Sequence, residues 1–305
     1  MAEIALDIRA AEAGRGPSVE VLVTDLSGVS SITVTRTSRN RSMQVRGMVR
    51  LPVSGAVSRI DFEVPFNAVV SYRAELFDGA GVSLGFTDPA VLGETFSGLA
   101  PSEELLPGSL YPEESLAGAG VISPFTWMHN PLAPEGAVRV SMSDSAAAEI
   151  SRPTPGAVVY PRGRRVGVMV SEPRRGLSGF VADVYCDSLE DADRVQAMLG
   201  DYNTTTVPVL CIRPGLDFNA RITAPLFLGV SDIVEEGLTV RWGGSDLIQR
   251  ISGDEVSPPV PGLFIPLLTY ADLNAYYSTY AAFNSDNASY LAASRRYELA
   301  GSADA

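Results

Sequence analysis

Residues 160–213 read YPRGRRVGVMVSEPRRGLSGFVADVYCDSLEDADRVQAMLGDYNTTTVPVLCIR, and their pattern predicts strands and one helix in a single compact unit. Valines occupy every second position from Val166 to Val170, a period of two that predicts a half-buried strand. Ser171–Gly176 contains a proline and a glycine and predicts a turn. A second alternating run, Phe180–Cys186, then predicts the return strand of a hairpin.

A helix is expected directly after this hairpin. Ser188 is followed three residues later by Asp191, which predicts a helix N-terminus because the serine oxygen can accept a hydrogen bond from a free backbone N–H. Apolar residues at helical spacing follow, and a glycine ends them: Leu189, Ala192, Val195, Met198, Leu199 and Gly200. Residues 207–211 resume a strand, which completes a compact packing unit without an obvious catalytic residue. The function of such a unit depends on its surfaces.

The composition is that of a large, acidic, turn-rich protein. A length of 305 residues predicts two domains, and 28 glycines with 21 prolines, set against few helical segments, predict a mainly β protein. A formal net charge of −13 argues against specific nucleic-acid binding, because phosphate groups require a basic surface. No apolar run approaches the roughly 20 residues of a membrane span, so we expect no signal peptide and no membrane association.

Changes in composition and turn-forming residues divide the chain into segments. Alternating runs at nearly even spacing, the clearest from Val70 to Leu76, predict an immunoglobulin-like or fibronectin-type β-sandwich. A Pro-, Ser- and Glu-rich stretch after it predicts a linker, with an irregular strand pair as the alternative. The segments are 1–16, an arm with its own contacts or a frayed end; 17–95, the sandwich; 96–123, the extended linker; 124–265, a second β domain with one packed helix; and 266–305, a short helical segment.

A ten-residue repeat marks the C-terminal segment. Thr269, Thr279 and Ser289 each precede a tyrosine and small residues, and each hydroxyl group can cap a short helix. The repeat therefore predicts three short helical turns that carry aromatic rings. They form either a small core beneath the C-terminus or an adhesive strip for another subunit, since tyrosine is favoured at interfaces. The strip would consist of Tyr270, Leu273, Tyr280, Phe283 and Tyr290.

The sequence offers no catalytic, metal or cofactor site. The one histidine, His129, lacks a partner nucleophile or carboxylate in a recognisable motif, so we expect a loop or core residue. The carboxylates within Glu190–Asp193 complement the dipole of a helix start. Cys186 and Cys211 both occupy apolar-phase strand positions, as buried free thiols or as a disulfide. We expect a protein that is not an enzyme and binds no cofactor.

Several segments carry a family resemblance: Val64–Ala74, Trp127 with Asn130–Leu132, Tyr160–Arg164 with the hairpin and helix that follow, and Thr269–Asp272. Together they span roughly residues 58–295 and resemble minor tail proteins of long-tailed phages that infect actinobacteria. The chain departs from that pattern where tyrosine replaces the more usual tryptophan of the terminal repeats. Segment 97–123 has no counterpart.

The resemblance implies a structural virion protein, a distal tail protein at the tip of a siphophage tail, made in the host cytoplasm. It implies that the second domain is a β-sandwich similar to the tail-tube fold, and that its hairpin and helix pack against adjacent copies in a closed ring, with six copies expected. The implied partners are the tail-tube protein, the tail-tip hub and other minor tail proteins.

A subunit contact is expected on physical grounds as well. The hairpin over residues 165–186 combines main-chain pairing with alternating apolar side chains, which can extend a sheet between copies. Its flanking arginines either meet an acidic neighbour or are simply solvated. The predicted self-association interface consists of Val166, Val168, Val170, Arg174, Arg175, Phe180, Val184, Leu189, Val195 and Leu199.

A protein of another class remains an alternative. A carbohydrate-binding β-sandwich module for host-surface recognition would share the predicted strands and the exposed tyrosines, and it would present a concave aromatic platform. A hydrolase is a more distant alternative that would require opposed carboxylates or an activated nucleophile.

Overall fold

The structure is a computed structural model that describes residues 2–11, 14–39, 41–66, 68–92, 96, 126–143, 149–186, 188–200, 206–215, 222–237, 247–260, 268–296, 299 and 302–303. Strands account for 46% of the protein and helices for 13%, which confirms the prediction of a mainly β fold. The predicted linker, residues 96–123, lies outside the described residues except for Phe96.

The chain forms two compact units that are not consecutive in sequence. The first unit comprises Met1–Ile122, Leu132–Glu135 and Pro259–Ala305, and the second comprises Ser123–Pro131 and Gly136–Pro258. The structure thus groups the chain differently from the five linear segments, since the N-terminal arm and the C-terminal helical segment belong to the same unit. The second unit is an insertion into the first.

Two antiparallel sheets build the first unit. The strands in chain order are β1 (Glu3–Arg9), β2 (Ser18–Thr24), β3 (Ser31–Ser38), β4 (Arg41–Gln44), β5 (Leu51–Pro52), β6 (Val57–Asp61), β7 (Val70–Phe77), β8 (Ser83–Phe86) and β9 (Ala90–Leu92). One sheet has the order β1-β2-β6. In the other, β3 pairs with β4, β5 and β7, and β7 also pairs with β8 and β9.

The predicted N-terminal arm contains an edge strand. β1 pairs with β2 along its whole length, from Glu3 opposite Thr24 to Arg9 opposite Ser18. Ile4 is buried, and Arg9 forms an ion pair with the buried Glu20. The frayed-end interpretation is therefore wrong, because seven residues of this arm are held by a complete antiparallel ladder.

A buried ion pair joins the two sheets. Arg36 on β3 donates to both carboxylate oxygens of Asp61 on β6, at 2.6 and 2.5 Å. The hydroxyl of Tyr72 on β7 donates to the same carboxylate at 3.1 Å. All three side chains are buried, so the carboxylate is neutralised and hydrogen-bonded in the space between the sheets. Burial alone would lower the pKa of Arg36, but the charge of Asp61 raises it above the ordinary arginine value.

Removal of one member of this pair should destabilise the first unit strongly. We expect Arg36→Met to cost about 3–5 kcal/mol of unfolding free energy, because Asp61 is left as a buried charge without its cation. Differential scanning calorimetry measures the change. The control is Arg194→Gln, which removes an exposed pair with Glu190 and should change stability by less than about 1 kcal/mol. Equal melting temperatures for Arg36→Met and the wild type would show that the pair is not structural.

The second unit is a closed six-stranded barrel with one helix and one projecting strand pair. Its elements are β10 (Thr126–Asn130), β11 (Ala133–Met142), β12 (Gly156–Val159), β13 (Val168–Ser171), β14 (Phe180–Cys186), α1 (Leu189–Ala197), β15 (Val209–Arg213), β16 (Leu226–Gly237) and β17 (Leu247–Glu255). The barrel order is β10-β11-β14-β17-β16-β15. The described strands thus close on themselves, whereas the sequence predicted a sandwich.

Helix α1 begins where the sequence predicted it. Ser188 is the N-cap, and its side chain accepts a hydrogen bond from the backbone N–H of Asp191 at 3.1 Å. Ala192 and Val195 are buried against the barrel. The amide of Gln249 on β17 donates to the carbonyl of Ala192 at 2.9 Å, which ties the helix to the sheet. The two cysteines are buried free thiols, one of the two predicted states.

Three short helices form the C-terminal segment of the first unit. They are α2 (Tyr270–Tyr276), α3 (Tyr280–Asp286) and α4 (Tyr290–Ser294), and their N-caps are Thr269, Thr279 and Ser289. In each helix the hydroxyl oxygen accepts a hydrogen bond from the backbone N–H three residues later. The ten-residue repeat predicted three short helices, and this prediction is confirmed: each helix starts after its predicted hydroxyl residue, ten positions from the next.

A buried glutamate holds the C-terminal segment to the β1-β2-β6 sheet. Glu20 on β2 pairs with Arg9 of β1 and with Arg295, which follows α4. Ser58 on β6 donates a further hydrogen bond to the same carboxylate. Burial by itself would raise the pKa of Glu20, but the hydrogen bonds from Arg295, Ser58 and Arg9 outweigh it and hold the pKa below the ordinary glutamate value.

This lowered pKa makes part of the stability depend on pH. Above about pH 4.5, the ordinary glutamate pKa, Glu20 is ionised in both states and its contribution is complete. As the pH falls through that value towards the lowered pKa, the unfolded chain takes up a proton first and the contribution is lost. Thermal unfolding at a series of pH values should show a smaller acid-induced loss for Glu20→Gln than for the wild type. Glu3→Gln is the control, because Glu3 is an exposed residue of β1 that lies opposite Thr24, and parallel curves for Glu20→Gln and the wild type would refute the assignment.

Candidate assembly surfaces

The most unusual surface of the second unit is a two-stranded ribbon, residues 156–171. β12 and β13 pair antiparallel, from Gly156 opposite Ser171 to Val159 opposite Val168. In the described structure they form a separate two-stranded sheet, outside the barrel order. Among the described residues, no third strand pairs with the ribbon.

The tip of the ribbon is a tight turn that needs glycine. The backbone N–H of Arg164 donates to the carbonyl of Pro161 at 3.1 Å, and Gly163 between them has a φ of +83°. A Cβ on Gly167 would lie 2.3 Å from Cγ1 of Val158 and 3.1 Å from the ring of Tyr160. Only glycine allows the ribbon to close so tightly at these two positions.

Both faces of the ribbon expose apolar side chains. Cross-strand partners share a face, so Val159, Val168 and Val170 lie on one side and Val158 and Met169 on the other. Between 43% and 61% of each of these side chains is exposed. Val166, nearer the tip, is 78% exposed. The isolated chain leaves this apolar surface in water.

This arrangement corrects two predictions. The run from Val166 to Val170 was expected to be half-buried and to pair with Phe180–Cys186, but β13 is exposed and pairs with β12. β14 instead lies inside the barrel, where it pairs with β11 and β17. Alternation along a strand shows which residues share a face, and it does not show which strand is the partner or what covers that face.

The end of β17 anchors the base of the ribbon. The carboxylate of Asp254 accepts hydrogen bonds from the backbone N–H of Gly179 at 2.7 Å and from the hydroxyl of Ser178 at 2.8 Å. Glu255 accepts from the N–H of Leu177 at 2.8 Å, and Leu177 is buried in the barrel core. The hydrogen bonds from Gly179 and Ser178 hold the pKa of Asp254 below its ordinary value.

Loss of this anchor should loosen the ribbon without unfolding the barrel. We expect Asp254→Ala to speed amide hydrogen exchange at Gly179 and in β12–β13 severalfold, because the backbone N–H loses its carboxylate acceptor. Hydrogen exchange read by mass spectrometry measures it, with Asp193→Ala on the exposed side of α1 as the control. Unchanged exchange in Asp254→Ala would mean that the anchor does not hold the ribbon.

Five of the ten residues predicted for self-association lie on or beside the ribbon. Val166, Val168 and Val170 are exposed along it, as described above. Arg174 and Arg175 are exposed at its base. Arg174 Nε donates to the carbonyl of Arg152 at 3.1 Å, which joins the segment before β12 to the segment after β13.

The other five belong to the barrel and its helix. Phe180, Val184 and Val195 are at most 1% exposed, and they lie in the barrel core. Their assignment to a contact surface is wrong, because the alternation that selected them marks the barrel interior. Leu199 packs partly buried against that core, and Leu189 on α1 is 53% exposed.

The predicted partner interface in the C-terminal segment comes together around one groove. Its lining includes Tyr270, Leu273, Tyr280, Phe283 and Tyr290, and its volume is about 280 Å³. The three tyrosines are between 70% and 78% exposed, so the interpretation as a small core is wrong for them. Leu273 and Phe283 are half-buried beneath them. A neighbouring cavity of about 400 Å³ extends to β6.

The single histidine is a core residue. His129 on β10 lies opposite Cys211 on β15, and the two residues are 1% and 0% exposed. Such burial leaves no route for a solute, which agrees with the expected loop or core role. Among the residues that the structure describes, no group of three or more His, Cys, Asp or Glu side chains could hold a metal ion. None of the described helices has the length and apolarity needed to cross a membrane.

Comparison of the chain with models of known families, with curated proteins and with solved structures finds no match. The function therefore has to be inferred from the surfaces of the chain itself.

Proposed function

We propose that the chain is a structural virion protein that forms a ring at the distal end of a siphophage tail and links the tail tube to the tail-tip hub by protein–protein contacts. The ribbon carries this proposal, because its apolar side chains are exposed on both faces and no described element of its own chain covers them. In this role the protein acts by assembly and catalyses no reaction.

The energetics of the ribbon favour a covered state. A two-stranded hairpin by itself is marginally stable in water. Fully burying a valine or methionine side chain stabilises by about 1.5–3 kcal/mol. The paired ribbon side chains are about half exposed, so covering each of them gains about half of that, and a partner that covers several of them also orders the ribbon. On soluble proteins, a large contiguous patch of exposed apolar surface commonly marks an interaction site.

The architecture of the two units supports the same role. We infer that the closed barrel with α1 packed on it is a tail-tube-like domain, and that the two sheets joined by Arg36 and Asp61 form an immunoglobulin- or fibronectin-like sandwich. A ribbon that projects from one surface and docks on a different surface of the next copy makes a head-to-tail contact, and such contacts close into rings when the rotation divides a circle. The family resemblance favours six copies.

Removal of the apolar ribbon surface should disperse the ring. We expect the wild-type protein to form a closed oligomer of its 32.3 kDa chain and Val168→Ser/Val170→Ser to shift towards the monomer, because the contact loses buried apolar area. Mass photometry and analytical ultracentrifugation measure the masses. Val82→Ser/Leu84→Ser, which removes equally exposed side chains from the first unit, is the matched control.

Two results would overturn the proposal. One is a wild-type protein that stays monomeric at tens of micromolar. The other is an assembled phage particle, produced from a genome encoding this chain, whose tail tip lacks the protein when imaged by cryo-electron microscopy at side-chain resolution.

The exposed tyrosines favour a second candidate function, host-surface recognition by carbohydrate binding. Tyr270, Tyr280 and Tyr290 stand around a groove, and flat aromatic rings of this kind combine an apolar face with a hydroxyl group. Titration calorimetry with actinobacterial cell-wall polysaccharide tests it. Binding that Tyr270→Ala/Tyr290→Ala abolishes supports this function, and absence of binding by the wild type excludes it for that polysaccharide.

A further inference from the structure

We propose that the ribbon of one copy lies across the outer face of strands β16, β17 and β14 in the barrel of the next copy, with its arginine tip against Asp232 and Glu236. This inference rests on the proposed self-assembly and names the surface that receives the ribbon. It follows from the charge and exposure of two surfaces on the same chain.

The ribbon is a basic element in an acidic protein. No aspartate or glutamate occurs between Glu149 and Glu172, while the tip carries Arg162, Arg164 and Arg165. All three arginines are exposed, and no ion pair is formed by them among the residues that the structure describes. Within the described part of the chain, their charge and the apolar faces of the ribbon have no complementary surface.

The outer face of the barrel offers the opposite charge on an apolar background. Val234 on β16 lies opposite Arg250 on β17, and Arg250 lies opposite Asp183 on β14, so the three side chains share one face. The alternate residues of these strands, such as Val184 and Ile251, are buried in the core, which places this row on the outside.

Two carboxylates on this outer face remain available to a partner. Asp183 is already paired with Arg250 at 2.8 Å. Asp232 and Glu236, two positions on either side of Val234, are exposed and form no direct ion pair within the described part of the chain, although the charge of Glu236 contributes to raising the pKa of Arg250. Val234 lies between these two carboxylates along β16 and is 53% exposed. Val181 on β14 lies in the same cross-strand row as Asp232 and is 46% exposed. The face thus matches the ribbon in both respects, apolar side chains flanked by charge of the opposite sign.

The other acidic surface near the barrel is a poorer match. At the start of α1, Glu190 lies 2.6 Å and Asp191 3.8 Å from the guanidinium of Arg194, so this one cation offsets only part of the negative charge of Glu190, Asp191 and the exposed Asp193. The exposed Leu189 is the single large apolar side chain there. We therefore assign the ribbon to the strand face and use α1 as a control surface.

Charge reversal on each side, followed by reversal on both, tests the assignment. We expect Arg162→Glu/Arg164→Glu/Arg165→Glu and, separately, Asp232→Arg/Glu236→Arg to weaken self-association on the order of a hundredfold, because like charges then face each other. Combining all five substitutions, or mixing the two variants, should restore the association at least tenfold. Asp193→Arg on α1 should leave the oligomer mass unchanged. Circular dichroism confirms folding of each variant.

A crosslink provides a measurement that does not depend on charge. Val166→Cys in one preparation and Val234→Cys in another should give a disulfide-linked dimer when mixed and mildly oxidised, whereas Val166→Cys with Val82→Cys should not. The native cysteines are buried and do not interfere.

The outcomes separate this inference from the proposed function. If Val168→Ser/Val170→Ser disperses the ring but neither charge reversal does, or if the combined variant stays dispersed and the crosslink fails, the receiving face is wrong and the ring proposal stands. If the wild type never associates, both fall.

Discussion

The ribbon of residues 156–171 exposes apolar side chains on both faces, because its two strands pair only with each other in the part of the chain that the structure describes. The remaining strands of the second unit close a barrel around their own apolar side chains, with α1 packed against them. Exposed apolar surface of this kind is typical of a contact site for another molecule.

Presentation of the ribbon also requires a defined direction. At the end of β17, Asp254 accepts a hydrogen bond from the backbone N–H of Gly179, and Glu255 accepts one from that of Leu177. These bonds fix the segment between the ribbon and β14 to a strand of the barrel. Gly163 and Gly167 allow the distal turn to close. An apolar element held in one direction loses less conformational entropy on docking than a mobile loop would. This geometry favours a repeated, identical contact of the kind that a ring needs.

In the first unit, two buried charge clusters accompany the apolar core. Arg36 on one sheet forms an ion pair with Asp61 on the other. Glu20 forms ion pairs with Arg9, near the start of the chain, and with Arg295, near its end. Arg295 and Glu20 are 275 positions apart in the sequence, with the barrel inserted between them. Their ion pair therefore attaches the C-terminal helices to the β1-β2-β6 sheet of the same unit. The exposed tyrosines of those helices are a second surface, separate in the chain from the ribbon, that a different partner can use.

Several features that depend on residues close together in the chain could be predicted from the sequence: the capping of α1–α4 by Ser188, Thr269, Thr279 and Ser289, the strands marked by alternation, and a mainly β fold. These are local because a cap acts over three residues and a strand face repeats every second residue. The folded chain was needed to show that β13 pairs with β12, that Phe180 and Val184 point into a barrel while Val168 and Val170 are exposed, and that the two chain ends share a unit. Alternation is the same whether a face meets a core, a solvent or a neighbour, and only long-range contacts distinguish these cases.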